Sequence, residues 1–401
     1  MPLLDFWKTN REVVLTLSIE QILANAGDGV LKDQSECSIE LRRFFSIVPA
    51  DRLGVYARHC LETAFDKNGL ALQDIVNEIG RRLEFDVEDG LYQGKRTAVG
   101  FDGIWKFRGE PGLIIEVKTT DAYNFSLDTL AQYRDRLVSE GRIEENASIL
   151  IVVGREDTGA LEAQIRGSRH AWDIRLISVE RLLKLLQISE KSEDPGTLKQ
   201  IRQLLRPFEY TKIDRIIDVL FEAAADVETQ QEIEQAKPDD EQPEGAGDPS
   251  NYADLEAKRR QTVEAFAALR SKELVKRSRT MFWSADKQFR VCCAVSKRHA
   301  GSHPSRLYWY AFLPKWYEFL REGADSYLIL ACMDRDEAFA LSRSVLDAYK
   351  DDFGITERPN GARYWHIELY ESHGELALQL HRTGTRVPMS EYRFETNASK
   401  L

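Results

Sequence analysis

The sequence predicts an α/β protein made of two separately folded parts. Three observations predict it: apolar residues at helical spacing near the start, short β-branched runs alternating with helical segments over residues 71–190, and an acidic stretch rich in proline and glycine after the middle of a 401-residue chain. That length exceeds one ordinary compact core, so at least two units are expected.

Taken in order, residues 1–70 read as a helical region, because Val14, Leu15, Leu17, Ile19, Ile22 and Leu23 recur at mixed helical steps. Leu72, Ile75, Val76, Ile79 and Leu83 then fall three or four residues apart, which gives a helix whose apolar stripe faces a core. Three strand candidates follow: 85–92, 97–107 and the β-branched run Leu113-Ile-Ile-Glu-Val-Lys118. A helix over 127–140 with Ser126 as its cap precedes Ser148-Ile-Leu-Ile-Val-Val153, whose apolar run after Ser148 is that of a buried strand. Residues 160–166 read as a helix, 173–178 as a strand and 179–187 as a helix. The order is αβββαβαβα, an α/β unit over 71–190 with a mixed central sheet.

Helices near 198–205 and 212–225 form an extension over 191–225, read as a buttress or a surface for self-association into a homo-oligomer. Residues 226–252 have the composition of a flexible linker, with Pro238, Pro243, Pro249, Gly245 and Gly247 among many acids and almost nothing to bury. Beyond it, 253–401 opens with a basic amphipathic helix. Strand-like runs at 289–295, 307–313, 326–332, 364–370 and 376–380 make it an α+β domain on an antiparallel sheet.

Composition narrows the function classes. No apolar run is long enough to span a bilayer, and the N-terminus lacks the basic region, apolar stretch and cleavage site of a secretory signal, so a cytoplasmic protein without a membrane partner is expected. Five scattered cysteines in so long a chain suit reduced thiols. The net charge of −11 argues against an acidic polymer as partner only until its location is considered. From Asp226 to Glu256 there are eleven acids and one lysine, whereas Lys258 to Arg306 holds thirteen Lys and Arg against three acids. Within that basic segment Lys272, Lys276, Arg277, Arg279, Lys287, Arg290, Lys297 and Arg298 are interleaved with Phe282, Trp283 and Phe289. Phosphate contact and base stacking use this mixture, and a solvated helix face beside a sheet core produces it too.

The chemistry-bearing residues lie in the first α/β unit. Hydrolysis of a phosphodiester requires a cation to neutralise developing charge, ligands to hold it, and a group to orient water. Asp102 interrupts a strand pattern between Gly100 and Gly103, which clear space for a close approach. Thirteen residues separate it from Glu116, a distance suited to a hairpin that sets both acids on neighbouring strands. Glu116 and Lys118 are two apart and therefore share one face of a strand. Two hard oxygen ligands favour Mg²⁺ or Mn²⁺, and the Lys118 ammonium can hold a water or the attacked phosphate. A Glu-x-Lys triplet alone is more often the solvated face of an edge strand.

The joint pattern resembles the PD-(D/E)XK nuclease superfamily, whose signature is an acid on one strand and Glu-x-Lys on the next. The resemblance covers about 120 residues and includes the order of elements. It implies a restriction-endonuclease-like αβββαβ core and a Mg²⁺-dependent endonuclease, acting on duplex DNA rather than RNA, in prokaryotic restriction or phage defence. Asp102 and Glu116 would then be the metal ligands and Lys118 the group orienting the water. The preceding helix often carries a glutamate, here Glu78, and the following helix a glutamine, here Gln132. Phe101 replaces the proline of the signature, and Arg136 stands where some members have a tyrosine. A nuclease fold without turnover and a nuclease gated by a ligand of the C-terminal domain are the alternatives. Arg166, Arg169 and His170 could contact phosphate, although such a loop cluster is more often plain surface. Cys293, His299 and His303 make a loose zinc pattern without a fourth ligand. Tyr308-Trp-Tyr310, Trp316-Tyr317 and Tyr364-Trp365 are most simply core.

Overall fold

In the computed structural model the described residues are 2–92, 100–119, 126–154, 159–192, 195–207, 249–298, 306–357, 363–372 and 375–396. The chain divides into two compact units, Met1–Ala223 and Ala224–Leu401. The helix expected over 212–225, most of the acidic linker, His299 and His303 lie outside the described residues.

The first unit begins with six helices: α1 (Leu3–Thr9), α2 (Arg11–Thr16), α3 (Ile19–Asn25), α4 (Glu36–Ile47), α5 (Ala50–Glu62) and α6 (Asn68–Arg82). Ser18 caps α3 in a reciprocal box with Gln21, and Ser35 caps α4 by accepting from the Ser38 N–H. Then come β1 (Asp86–Asp89), β2 (Gly103–Phe107), β3 (Glu110–Lys118), α7 (Leu127–Ser139), β4 (Ser148–Val153), α8 (Gly159–Arg166), β5 (Ile174–Ser178), α9 (Val179–Lys191) and α10 (Pro195–Leu204). Ser178 both ends β5 and caps α9 through the Arg181 N–H, so strand passes directly into helix.

The sheet order is β1-β2-β3-β4-β5. β1, β2 and β3 form an antiparallel meander, and β3, β4 and β5 run parallel because α7 and α8 cross over between them. The mixed sheet and the αβββαβαβα order are those expected. One face carries Trp105, Leu113, Ile115, Leu150 and Val152 into a core shared with α1, α3 to α6, α9 and α10. The opposite face carries Ile104, Ile114, Ile149, Ile151 and Val153 against Leu127, Leu130 and Leu137 of α7 and Ile165 of α8. The helical region 1–70, the α/β unit and the start of the extension thus share one core.

One expectation about α6 needs correction. A single apolar stripe was expected, yet eleven of its fifteen residues are buried, including Gln73, Asp74, Asn77, Glu78 and Arg82. The helix lies between the sheet and the outer helices, and its polar side has found protein partners in place of water. The Arg42 Nε donates to Asp74 at 3.0 Å, and Tyr92 donates to the same carboxylate.

The second unit starts with α11 (Pro249–Leu269), β6 (Val275–Lys276), β7 (Met281–Trp283), β8 (Phe289–Ser296), β9 (Arg306–Phe312), α12 (Pro314–Arg321), β10 (Asp325–Cys332) and β11 (Glu337–Ser342). It continues through α13 (Arg343–Tyr349), β12 (Gly354–Glu357), β13 (Arg363–Ser372), β14 (Glu375–Gln379), β15 (Arg386–Pro388) and β16 (Arg393–Glu395). In place of one antiparallel sheet there are two. The first, ordered β16-β11-β10-β8-β7-β6, contains a parallel pair, β8 with β10, because the chain visits β9 and α12 between them. The second joins β12, β13, β14 and β15, with β9 also paired to β13. Cys292, Leu328 and Leu330 of the first sheet meet Tyr308, Tyr310, Ile367 and Leu378 of the second in one core. Val263 and Phe266 of α11 cover the outer face of the first sheet.

Candidate active site

Asp102 immediately precedes β2, where Gly103 pairs with Ile115 and Ile104 with Ile114. Its N–H donates to the Ile115 carbonyl at 3.0 Å and its Oδ2 accepts from the Val117 N–H at 2.6 Å. These two bonds bracket Glu116. The carboxylate of Asp102 thereby does for Val117 what a backbone carbonyl does elsewhere in a ladder.

Glu116 and Lys118 alternate with Ile115 and Val117, so they share the face of Ile114, the side covered by α7. The Lys118 Nζ lies 2.5 Å from Glu116 Oε1, and the two side chains are 32% and 13% exposed. The pair is therefore half-sheltered, close enough to the surface for a ligand to reach the ammonium. Burial and the neighbouring Glu116 push the Asp102 carboxyl up to about 7, against the stabilising Val117 N–H and Lys118 ammonium. Two acids that repel in a sheltered place are relieved by a bound cation, and their oxygens are of the hard type that Mg²⁺ and Mn²⁺ prefer. Among the described residues no group of three or more His, Cys, Asp or Glu is arranged to hold a metal, so a cation here would draw its remaining ligands from water and phosphate.

The backbone of Asp102 is held from the other side. Its carbonyl accepts from Asn77 Nδ2 at 2.8 Å, Gln73 Nε2 at 3.0 Å and the Gly90 N–H at 3.0 Å. Asn77 Oδ1 in turn accepts from Trp105 Nε1 at 3.0 Å. This approach needs two glycines without side chains: a Cβ on Gly103 would lie 2.2 Å from Asn77 Oδ1, and one on Gly90 would lie 2.0 Å from the Phe101 carbonyl oxygen. Gln73, Asn77 and Gly90 were not singled out in the sequence. Their only signal is the four-residue step between Gln73 and Asn77, which places both on one helix face.

Glu78 is placed differently from the three central residues. It is buried on α6, on the opposite side of the sheet from Lys118, with Arg82 Nε 2.9 Å from its Oε1 and Arg81 Nη1 3.8 Å from its Oε2. The Arg82 Nη2 also donates to the Phe45 and Val48 carbonyls at 2.7 and 2.6 Å, tying α6 to the end of α4. Gln132 is exposed on α7, beside Tyr133, whose ring is the nearest neighbour of Gly100. Phe101, in the position of the signature proline, packs with Tyr133 and lies under the Arg142 guanidinium at 5.1 Å.

In the loop before β5, Arg169 Nη2 and His170 Nε2 lie 3.0 and 2.8 Å from Asp128 Oδ1, a link from this loop to the first turn of α7. Arg166 is exposed. In the second unit Phe282, Trp283 and Phe289 are buried, which takes them away as stacking platforms for bases. Arg279 and Arg290 are buried as well, and Arg290 Nη1 contacts the Phe319 carbonyl at 3.1 Å and Glu322 at 2.6 Å. Lys276 Nζ is 2.5 Å from Glu256, while Arg277 and Lys287 lie over the Trp283 ring. Lys272, Lys297 and Arg298 are exposed, with Arg298 Nη1 3.7 Å from Asp334. Cys293 is buried in β8 and burial pushes its thiol up to about 12, which disfavours the thiolate a zinc ion requires. Among the described residues no helix is long and apolar enough to cross a membrane.

Compared with known protein families and with curated proteins, the chain matches none.

Proposed function

We propose that the first unit is a restriction-endonuclease-like domain of the PD-(D/E)XK type and that the protein is a Mg²⁺- or Mn²⁺-dependent endonuclease acting on DNA. The observation that carries this reading is the stitching of Asp102 to β3 on both sides of Glu116, with the Lys118 ammonium beside the Glu116 carboxylate. Asp102 and Glu116 would hold the cation, which supplies a Lewis acid to neutralise charge on the attacked phosphate and to make water a better nucleophile. Lys118 donates hydrogen bonds that orient the attacking water or a phosphate oxygen, in a sheltered place where a fixed charge acts more strongly than in bulk solvent. Water then forms the new bond to phosphorus as the bond to the leaving oxygen breaks. Lys272, Lys297 and Arg298 offer exposed positive charge for phosphate contacts by the second unit.

The test is cleavage of plasmid DNA by the full chain with Mg²⁺ or Mn²⁺. Asp102→Ala and Lys118→Ala are each expected to slow it by at least about a hundredfold. Variants that cut as fast as the parent would overturn the assignment, as would a parent that binds DNA and leaves it intact with either cation.

A further inference from the structure

We propose that Gln73 and Asn77 are positioning residues for the cation site, acting through the backbone carbonyl of Asp102; this rests on the reading of Asp102 and Glu116 as a cation site. A carbonyl oxygen has two lone pairs, and three donors converge on this one: Asn77 Nδ2 at 2.8 Å, Gln73 Nε2 at 3.0 Å and Gly90 N at 3.0 Å. Gln73 is 3% exposed and Asn77 0% exposed, so both amides were withdrawn from water to make these bonds.

The orientation of the Asn77 amide is fixed chemically. The Trp105 indole N–H can only donate and faces one end of the amide at 3.0 Å, so that end is the oxygen and the NH₂ must face Asp102. Gly103 leaves the space that the amide occupies. An ordinary strand residue is held by its ladder alone. Asp102 lies just outside β2, with its backbone bonded once to Ile115 and once to Gly90 and its side chain engaged by Val117. The two α6 amides add a second constraint from below the sheet. They fix where the carboxylate sits relative to Glu116 without touching either carboxylate, so their effect reaches a cation through ligand placement.

The experiment compares the full-length parent with Gln73→Met and Asn77→Asp, measuring Mn²⁺ binding alone by titration calorimetry and the Mn²⁺ midpoint of DNA cleavage. Gln73→Met keeps the side-chain length and leaves two donors on the carbonyl, so it retains the fold; Asn77→Asp keeps the acceptor for Trp105 and loses the donor. The expected result is weaker Mn²⁺ binding by about tenfold or more, with a matching shift of the cleavage midpoint. A merely structural role would lower the fraction of active protein and leave both midpoints in place. Unchanged Mn²⁺ binding and midpoint in a folded Gln73→Met variant overturns the positioning role alone. A parent that neither binds Mn²⁺ nor cleaves overturns the cation-site reading and this inference with it.

Discussion

Replacing Glu78 by alanine should lower the stability of the first unit by about 3–5 kcal/mol, the cost of stranding one partner of a buried ion pair. Glu78 and Arg82 form that pair at 2.9 Å with side chains 5% and 6% exposed, so neither charge has water as an alternative partner. Without Glu78, the Arg82 guanidinium keeps its bonds to the Phe45 and Val48 carbonyls and loses its counter-charge. Domains of this kind have a stability of about 5–15 kcal/mol in total, so the loss would be a large fraction of it. Glu78→Gln keeps an acceptor for Arg82 Nε and should lose less. Urea unfolding of the full chain followed by circular dichroism provides the assay. The transition of the first unit should move to lower urea while that of the second unit, which has its own core, stays in place. Mn²⁺ binding by Glu78→Gln should equal that of the parent. An alanine variant within about 1 kcal/mol of the parent, combined with weakened Mn²⁺ binding, would refute the structural role and return Glu78 to the cation site.

Two further outcomes follow from the site. With the Asp102 carboxyl pushed up to about 7, a cation bound at the proposed site would have to displace a proton below that pH, so Mn²⁺ affinity should fall by about tenfold per unit as pH drops under 7. In cation-free protein the same raised value means that the folded state holds this proton more tightly than the unfolded chain. Stability from this group is full below about 4 and is lost as pH rises toward 7. Asp102→Asn should remove that slope, and an unaltered slope would show that another group produces it. Gly103→Ala would place a methyl 2.2 Å from Asn77 Oδ1 and should cost about 1–3 kcal/mol in urea unfolding while weakening Mn²⁺ binding; a variant as stable as the parent would mean that Asn77 has room to withdraw.

Much of the first unit was legible because its strands are chemically distinct. Ile149 to Val153 is an unbroken apolar run, mostly β-branched, and with Ser148 it is a strand buried on both faces. Ser126 was expected to cap α7 and does, accepting from the Thr129 N–H at 3.2 Å. The spacing of Asp102 and Glu116 also read correctly as adjacency across a hairpin, since local geometry alone decides it. The polar side of α6 was not legible. Gln73, Asn77 and Arg82 look like solvated helix residues until partners at Asp102, Trp105, Phe45 and Val48 are brought to them from elsewhere in the chain. In the second unit the runs at β8, β9, β10, β13 and β14 could be found and the remaining strands could not, and alternation does not tell which sheet a strand joins. β9 follows β8 in sequence and pairs with β13 instead.

The nearly complete burial of α6 sets a lower bound on the smallest working piece of the first unit. A chain trimmed to begin near Leu70 would retain Asp102, Glu116 and Lys118 and the whole sheet, and with them the full acid and Glu-x-Lys pattern. It would also strip away α4 and α5, baring the buried flank of α6 and depriving Asp74 of Arg42 and Arg82 of its carbonyl partners. The amides that grip Asp102 belong to that same helix. Under the proposed function, α4 and α5 thus support the site through α6, and an engineer who wished to graft it onto another scaffold would have to move them with it.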